Sequence, residues 1–260
     1  MSQPGHLDVS KLAKTFSGAV EAVRDVSFHV APGELVALVG ESGCGKTTTL
    51  KCINRLLEPS DGQITIGGED IQSLDPVLLR RKIGWIMQGD GLFPHFTVAE
   101  NISVVPRLLQ WDAREIDERV HQLIELVRLD PEAYAGRFPD ELSGGQRQRI
   151  GIARALAARP SLILMDEPFG ALDPITRDEL REDIILLKDR LGFAAVMVTH
   201  DMAEALLLAD RIAVMHDGEV IQYDTPERLL SDPVDERVER MLGSPVKEAE
   251  RITALRAKAG

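Results

Sequence analysis

Leu35-Val36-Ala37-Leu38-Val39 runs directly into Gly40-Glu41-Ser42-Gly43-Cys44-Gly45-Lys46-Thr47, and this junction decides the fold. The apolar run has the character of a strand buried on both faces, as in a parallel sheet. The residues after it fit the phosphate-binding pattern G-x-x-x-x-G-K-[ST]. Its glycines let the backbone fold tightly enough for successive N–H groups to point at an anion. A helix opening at Lys46 brings its positive dipole end to the same spot, and the Leu50, Ile53, Leu57 spacing behind it is helical. From there Lys46 can reach the β- and γ-phosphates of a nucleotide, and the Thr47 hydroxyl can hold Mg²⁺. The junction reads as a nucleotide site.

Composition limits what surrounds it. The 260 residues suffice for one compact domain with a core that needs no staples. A formal net charge of −12 opposes a nucleic-acid-coating surface, which should be basic, so no nucleic-acid partner is expected. Cys44 and Cys52 share one loop–helix unit; at helical rise they stand about 12 Å apart, too far for a disulfide. Reduced thiols fit a cytosolic protein. Met1-Ser2-Gln3-Pro4-Gly5-His6 lacks the basic and apolar regions of a signal peptide. The apolar runs fall short of the ~20 residues of a membrane span, so any membrane role is expected to come through a partner.

Working outward, Leu7 to Val9 and Ala22 to Val30 read as strands, the second closing at Ala31-Pro32-Gly33. Phe16, between them, is either core or a flat surface for a stacked adenine. Gln63 to Ile66 and Ile83 to Met87 are further strands, the latter delivering Gln88 to its end. From Gly89 to Pro160 the pattern turns helical. Thr97 and Glu100 have capping-box spacing, and Ile116, Val120, Leu123, Ile124 and Val127 form a 3.6-period stripe from Asp112 to Leu129. The opposite face, with Arg114, Glu115, Asp117, Glu118 and Arg119, is expected to be solvated. Strand signals return at Leu162 to Met165 and Ala194 to Thr199, with a helix from Pro174 to Arg190 between them. Asp201 and Glu204 are expected to cap the next helix. A hairpin turns at Asp217-Gly218, Thr225-Pro226 opens a further helix, and past Gly243-Ser244-Pro245 the tail is charged and helix-prone.

Several strands end in polar residues, and in an open parallel sheet the ligand lies at those carboxyl ends. Gly40, Gln88, Asp166 and His200 can therefore converge on one nucleotide. Asp166 is placed to hold Mg²⁺ beside Thr47. Glu167 faces the other way, toward the γ-phosphate, where a carboxylate can polarise the attacking water for roughly 10²–10⁴-fold in rate. Leu142-Ser143-Gly144-Gly145-Gln146 has capping-box spacing, yet two glycines in a first turn cost about 1 kcal/mol each relative to alanine. They make sense if a phosphate approaches the bare N–H groups of that helix end.

At this point the residues carry a resemblance: from about Leu7 to Asp232 the chain is similar to the nucleotide-binding subunits of ABC transporters. Gly40 to Thr47 resembles the Walker A segment, Gln88 the Q-loop, and Leu142 to Gln146 the signature motif. Leu162 to Glu167 resembles Walker B, Ala171-Leu172-Asp173 the D-loop, His200 the switch histidine, and Phe16 the adenine-stacking aromatic. The resemblance implies an α/β fold. Its P-loop NTPase core has a mostly parallel sheet, an N-terminal antiparallel β subdomain and a helical signature-motif subdomain at about 89–160. The ATP-binding domain would span 1–243, with a charged tail at 244–260.

It further implies ATP and Mg²⁺ as cofactors. Glu167, His200, Gln88 and Lys46 would be catalytic, and Thr47, Gln88 and Asp166 would hold the metal. Nucleotide contacts fall to Phe16, Gly40, Glu41, Ser42, Gly43, Cys44, Gly45, Lys46, Thr47, Thr48 and Gln88, and from a second copy to Ser143, Gly144, Gly145, Gln146 and Asp173. Two ATP molecules would be sandwiched in a head-to-tail dimer, with Ser143 and Gly145 of one copy facing the γ-phosphate held by Lys46 of the other.

Ile53 to Pro59, Gly91 to His95 and Asp173-Pro174-Ile175 are most similar to importer ATPases for osmoprotectants and quaternary amines. Such a protein is expected at the cytoplasmic face of the inner membrane, with permease subunits as partners and, indirectly, an extracytoplasmic solute-binding protein. An apolar patch at Leu92 to Phe96 would receive a short permease helix, whereas Trp85 beside it reads first as subdomain core. The chain ends before the paired CBS regulatory domains some of those ATPases carry, so no regulatory domain is expected. Importers of other small solutes remain an alternative, as does a soluble ABC-type ATPase acting on nucleic acid or ribosomes. A small-molecule kinase would leave Ser143 to Gln146 unexplained.

Overall fold

The computed structural model describes residues 6–89, 91–170 and 172–259. β1 (Leu7–Phe16) and β2 (Val20–Val30) form a long antiparallel hairpin. β3 (Leu35–Gly40) is buried throughout and leads through the phosphate loop into α1 (Lys46–Ile53). β4 (Asp61–Ile66) returns to pair with β1, and β5 (Glu69–Asp70) adds to β4. α2 (Pro76–Lys82), capped by Asp75, precedes β6 (Ile83–Ile86). Helices α3 (Val98–Leu108), α4 (Ala113–Leu126), α5 (Pro131–Tyr134) and α6 (Gly144–Leu156) come next. Strand and helix then alternate through β7 (Leu162–Asp166), α7 (Pro174–Leu191), β8 (Ala194–Thr199) and α8 (Met202–Leu208). The hairpin β9 (Arg211–His216) and β10 (Glu219–Asp224) is followed by α9 (Pro226–Ser231) and α10 (Glu236–Ala259).

Among the described residues the strands form two sheets, ordered β2-β1-β4-β5 and β10-β9-β3-β8-β7-β6. The first is antiparallel. In the second, every pair except β9–β10 is parallel. Side chains alternate across a strand, and β3 uses both faces. Leu35, Ala37 and Val39 join the core shared with α4, α6, α7 and α8, while Val36 and Leu38 join the core shared with α1 and the antiparallel sheet. The uninterrupted apolar run follows from this two-sided burial.

The expected capping box at Thr97 and Glu100 forms with both bonds, at 3.2 and 2.8 Å. The stripe Ile116, Val120, Leu123, Ile124 and Val127 is buried. Three details differ from expectation. Arg119 is buried rather than solvated, because its guanidinium reaches the carbonyls of Leu156 and Ala157 at the end of α6; helix-end carbonyls lack intrahelical donors, and a cation there satisfies them. α10 runs unbroken through Gly243 and Pro245, where the sequence suggested that a tail begins. β1 extends to Phe16, well beyond Val9.

The helical segment is tied to the sheet by charge as well as packing. Arg149 of α6 pairs with the buried carboxylate of Asp183 on α7, which also takes Arg128 at 2.9 Å. Removing one partner of such a pair strands a buried charge. Asp183→Ala should therefore lower unfolding free energy by about 3–5 kcal/mol in urea titrations; a loss below about 1 kcal/mol would mean the pair is solvated in practice.

Candidate nucleotide site

The parallel ladder aligns the strand ends that matter. Val39 of β3 lies opposite Thr199 of β8, and Asp166 of β7 opposite Val198. The residues that leave these strands, Gly40, Glu167 and His200, therefore emerge at one edge. Gln88 reaches the same edge two residues beyond β6.

The phosphate loop closes around a cavity of about 270 Å³ lined by Ser42, Gly43, Gly45, Lys46, Thr47, Thr48, Glu167 and His200. Gly43 and Gly45 adopt φ of +85° and +101°, and a Cβ on Gly45 would stand 2.4 Å from the carbonyl oxygen of Ala22. No side chain fits there. Lys46 is buried, its Nζ donating to Gly40 O at 2.6 Å and Glu41 O at 2.8 Å. Cys44 turns its thiol inward, 3.6 Å from Lys46 Nζ, so its side chain lies under the loop rather than in the cavity.

Thr47 Oγ1 donates to Asp166 Oδ1 at 3.0 Å. Burial, with the Glu167 charge adding to it, pushes the Asp166 carboxyl above its usual range, against the opposing Thr47 hydrogen bond. A cation would relieve that strain. Neighbouring oxygens on an octahedron with bonds of 2.0–2.1 Å stand about 3 Å apart, so this donor pair fits one edge of a Mg²⁺ shell. Gln88 is turned elsewhere: its Nε2 donates to Glu167 Oε2 at 2.9 Å. His200 Nδ1 lies 3.3 Å from the other oxygen, Oε1. Gln88 and His200 thus hold the Glu167 carboxylate from both sides.

The switch segment has a support that sequence reasoning missed. Glu204 does not close a capping box with Asp201; only Asp201 caps α8, accepting from the N–H groups of Ala203 and Glu204. The Glu204 carboxylate is instead buried between the Thr199 hydroxyl, at 2.7 Å, and Arg181, at 2.9 Å. A buried charge must be paired, and Arg181 of α7 supplies the partner.

The remaining residues stand apart from the cavity. Phe16 is 38% exposed at the end of β1, with Lys14 Nζ 5.3 Å from its ring centre, so it is surface rather than core. Ser143 and Gln146 form a reciprocal capping box, at 3.3 and 2.9 Å. The first-turn N–H groups of Gly144 and Gly145 have no intrahelical acceptor. Neither these residues nor Asp173, the N-cap of α7, lines the cavity of their own chain. Ala171 lies outside the described residues. A Cβ at Gly144 would meet only the tip of Arg147, at 4.0 Å, but at Gly145 it would stand 2.5 Å from Thr176 Cγ2. Gly145 therefore has a steric reason inside the subunit, beyond any approaching phosphate.

A phosphate loop at the end of a central parallel strand, with a carboxylate pair at the end of the next strand but one in the same sheet, defines a P-loop nucleotide-binding protein. Residues 23–170 match the ABC transporter family, and the chain belongs to that family. It is 54% identical over 237 residues to the choline transport ATP-binding protein OpuBA of Bacillus subtilis, covering 91% of this chain and 62% of that protein. It is 46% identical to the glycine betaine uptake system ATP-binding protein YehX of Escherichia coli, over 91% of this chain and 76% of that one. This chain spans about three fifths of the length of OpuBA and of the OpuCA proteins. The fold is similar to the ATP-binding cassette MJ0796, solved as a dimer in a post-hydrolysis state with ADP and Pi. That match has a TM-score of 0.75 and 33% identity, covering 85% of this chain and 98% of that chain.

The Gly145–Thr176 contact yields a test. Gly145→Ala should destabilise the subunit by about 1–2 kcal/mol through overpacking, despite alanine's better helix propensity. Adding Thr176→Ser removes the offending methyl and should recover most of the loss in chemical denaturation. Equal stabilities for the single and double variants would show that α7 gives way freely.

Proposed function

We propose that this chain is the ATP-hydrolysing subunit of an ABC importer, coupling MgATP-driven dimer closure to uptake of an osmoprotectant or quaternary amine. The observation that carries the catalytic part is the Glu167 carboxylate held between Gln88 and His200 at the mouth of the phosphate-loop cavity. The relatives' names support the solute class, which this chain does not itself bind.

In this reading the loop N–H groups and the α1 dipole bind the phosphates. Lys46 exchanges the carbonyls of Gly40 and Glu41 for the β- and γ-phosphate oxygens. Thr47 and Asp166 would hold Mg²⁺, which when bound would neutralise charge developing on the phosphates. Gln88 releases Glu167 to take part at the γ-phosphate, and Glu167 accepts the proton of the water that attacks phosphorus as ADP leaves. His200 keeps γ-phosphate and water in line. Ser143, Gly144 and Gly145 come from a second copy, arranged head to tail, because they stand away from their own cavity. The dimeric ADP-bound relative supports that arrangement.

Permease contact falls on a groove of about 360 Å³ between the parallel sheet and the helical segment, where Trp85, Met87 and Phe93 meet Val104 and Val105 of α3. Leu92 is buried in the core and not part of this surface, whereas Phe93 and Pro94 are exposed. Among the described residues no helix is long and apolar enough to cross a membrane. Attachment at the cytoplasmic face would come through this groove.

Glu167→Gln should bind MgATP normally, accumulate a stable ATP-bound dimer on size exclusion, and lose roughly 10²-fold or more in turnover. Undiminished turnover would remove Glu167 from the mechanism. Ser143→Arg should leave nucleotide affinity of the monomer intact and abolish ATP-dependent dimerisation; normal ATPase activity would sink the head-to-tail arrangement. For the solute, co-purified permease reconstituted in vesicles should accumulate choline or glycine betaine rather than polyamine or sulfate.

A further inference from the structure

Glu167 holds a backbone conformation that L-residues adopt at a cost. Its φ is +45°, in the left-handed region that disfavours a Cβ by about 1–2 kcal/mol. Such a conformation persists where the surroundings over-determine it. Three hydrogen bonds do so. Glu167 N–H donates to Val198 O on β8 at 2.9 Å, and Gly170 N–H donates to Glu167 O at 3.3 Å. The third comes from outside the strand and its turn: Gln148 Nε2 donates to Pro168 O at 2.8 Å.

Gln148 is a buried side chain on α6, five positions beyond Ser143. That is about 7.5 Å along the helix axis. Pro168, immediately after Glu167, is also buried. Proline has a fixed φ, which removes one of the two backbone rotations by which the Pro168 carbonyl could turn to another partner. Without the Gln148 amide, a buried carbonyl would lose its partner and the left-handed turn would lose one of its restraints. Anchoring α6 to the rest of the subunit does not require this bond. The buried Ile150, Ile152 and Ala153 and the Arg149–Asp183 pair already do that.

We infer that Gln148 is a positioning residue that links the two ATP sites of the dimer, setting Glu167 of one site from the helix whose N-terminus serves the other. The inference rests on the head-to-tail dimer proposed above. In that dimer Ser143 faces the partner's nucleotide, while Glu167 of the same chain works at its own. The stretch Ser143–Gln148 is a single turn and a half of helix, and Gln148 hands its position to the peptide that follows Pro168, one residue beyond Glu167. Seating of α6 on the partner's γ-phosphate is thereby transmitted to the general base across the subunit.

Mixed dimers test this directly. An intact protomer is paired with one carrying Glu167→Gln, so that turnover comes from one site: Lys46 and Glu167 of the intact protomer with Ser143 of the other. Gln148→Met, which keeps length and apolar volume but removes the amide, is placed in either protomer. In the protomer with the working Glu167 it should lower turnover about tenfold or more, the scale of a sub-ångström misplacement, with KM for ATP within about twofold. In the Glu167→Gln protomer it should change turnover less than about twofold, since the glutamate it positions is already absent.

Equal losses from both placements, a larger loss from the second, or no loss from either would overturn the inference. Each would assign Gln148 to supporting the signature helix alone or to neither. Should Gln148→Met fail to fold, Gln148→Leu, which also removes the amide and can present no donor, must give the same asymmetry. Failure of the underlying reading looks different: with Gln148 intact in both chains, Ser143→Arg in the Glu167→Gln protomer would then leave turnover unchanged.

Discussion

Everything at the nucleotide site depends on the in-register parallel ladder of β7, β8 and β3. Val39 opposite Thr199 and Val198 opposite Asp166 leave no freedom in where the loops begin. A slip of one residue would turn each side chain to the other face of the sheet. Register is fixed because both faces are buried, with Leu35, Ala37 and Val39 committed to one core and Val36 and Leu38 to another. The apolar run that precedes the phosphate loop is thus what aims Lys46, Glu167 and His200 at one point.

On that frame the cationic and anionic groups are each held in reserve by partners of their own. Lys46 is satisfied by backbone carbonyls, and Glu167 by Gln88 and His200. A buried ammonium without a partner would be costly, and two main-chain acceptors offset that cost; in the proposed mechanism phosphate oxygens would replace them. For Glu167 the same logic would tie release of the proposed base to ligands that compete for Gln88 and His200. The Asp166 carboxyl, raised by burial and by the neighbouring Glu167 charge, is the group with most to gain from a cation.

Much of this was legible in the residues because the relevant signals are local. The strand–glycine-loop–helix junction, the capping residues Thr97, Ser143 and Thr225, and the polar residues at strand ends each depend on a few neighbours in sequence. What escaped is set by contacts far away along the chain. Arg119 sits at a polar position of its own helix, and only the exposed carbonyls of another helix's end draw it inward. Glu204 has the spacing of a capping partner, but a hydroxyl on β8 and a guanidinium on α7 bind it more strongly. Gln148 carries no pattern at all; its significance lies in which carbonyl it meets.

Gly145 shows how the two kinds of constraint meet in one residue. The sequence argument rested on a first turn left bare for a phosphate, and Gly144, open to solvent, keeps that explanation. Gly145 carries a second one, since Thr176 leaves no room for a Cβ. Thr176 holds the Asp173 carboxyl below its usual range, through its side-chain hydroxyl first and then through the N–H it donates, and so keeps the cap charged. The N-terminus of α6 and the N-cap of α7 are therefore packed as one surface before any partner arrives. A glycine that admits a ligand on one side and a neighbouring helix on the other cannot be exchanged for alanine without disturbing both, which is a tighter requirement than phosphate binding alone imposes.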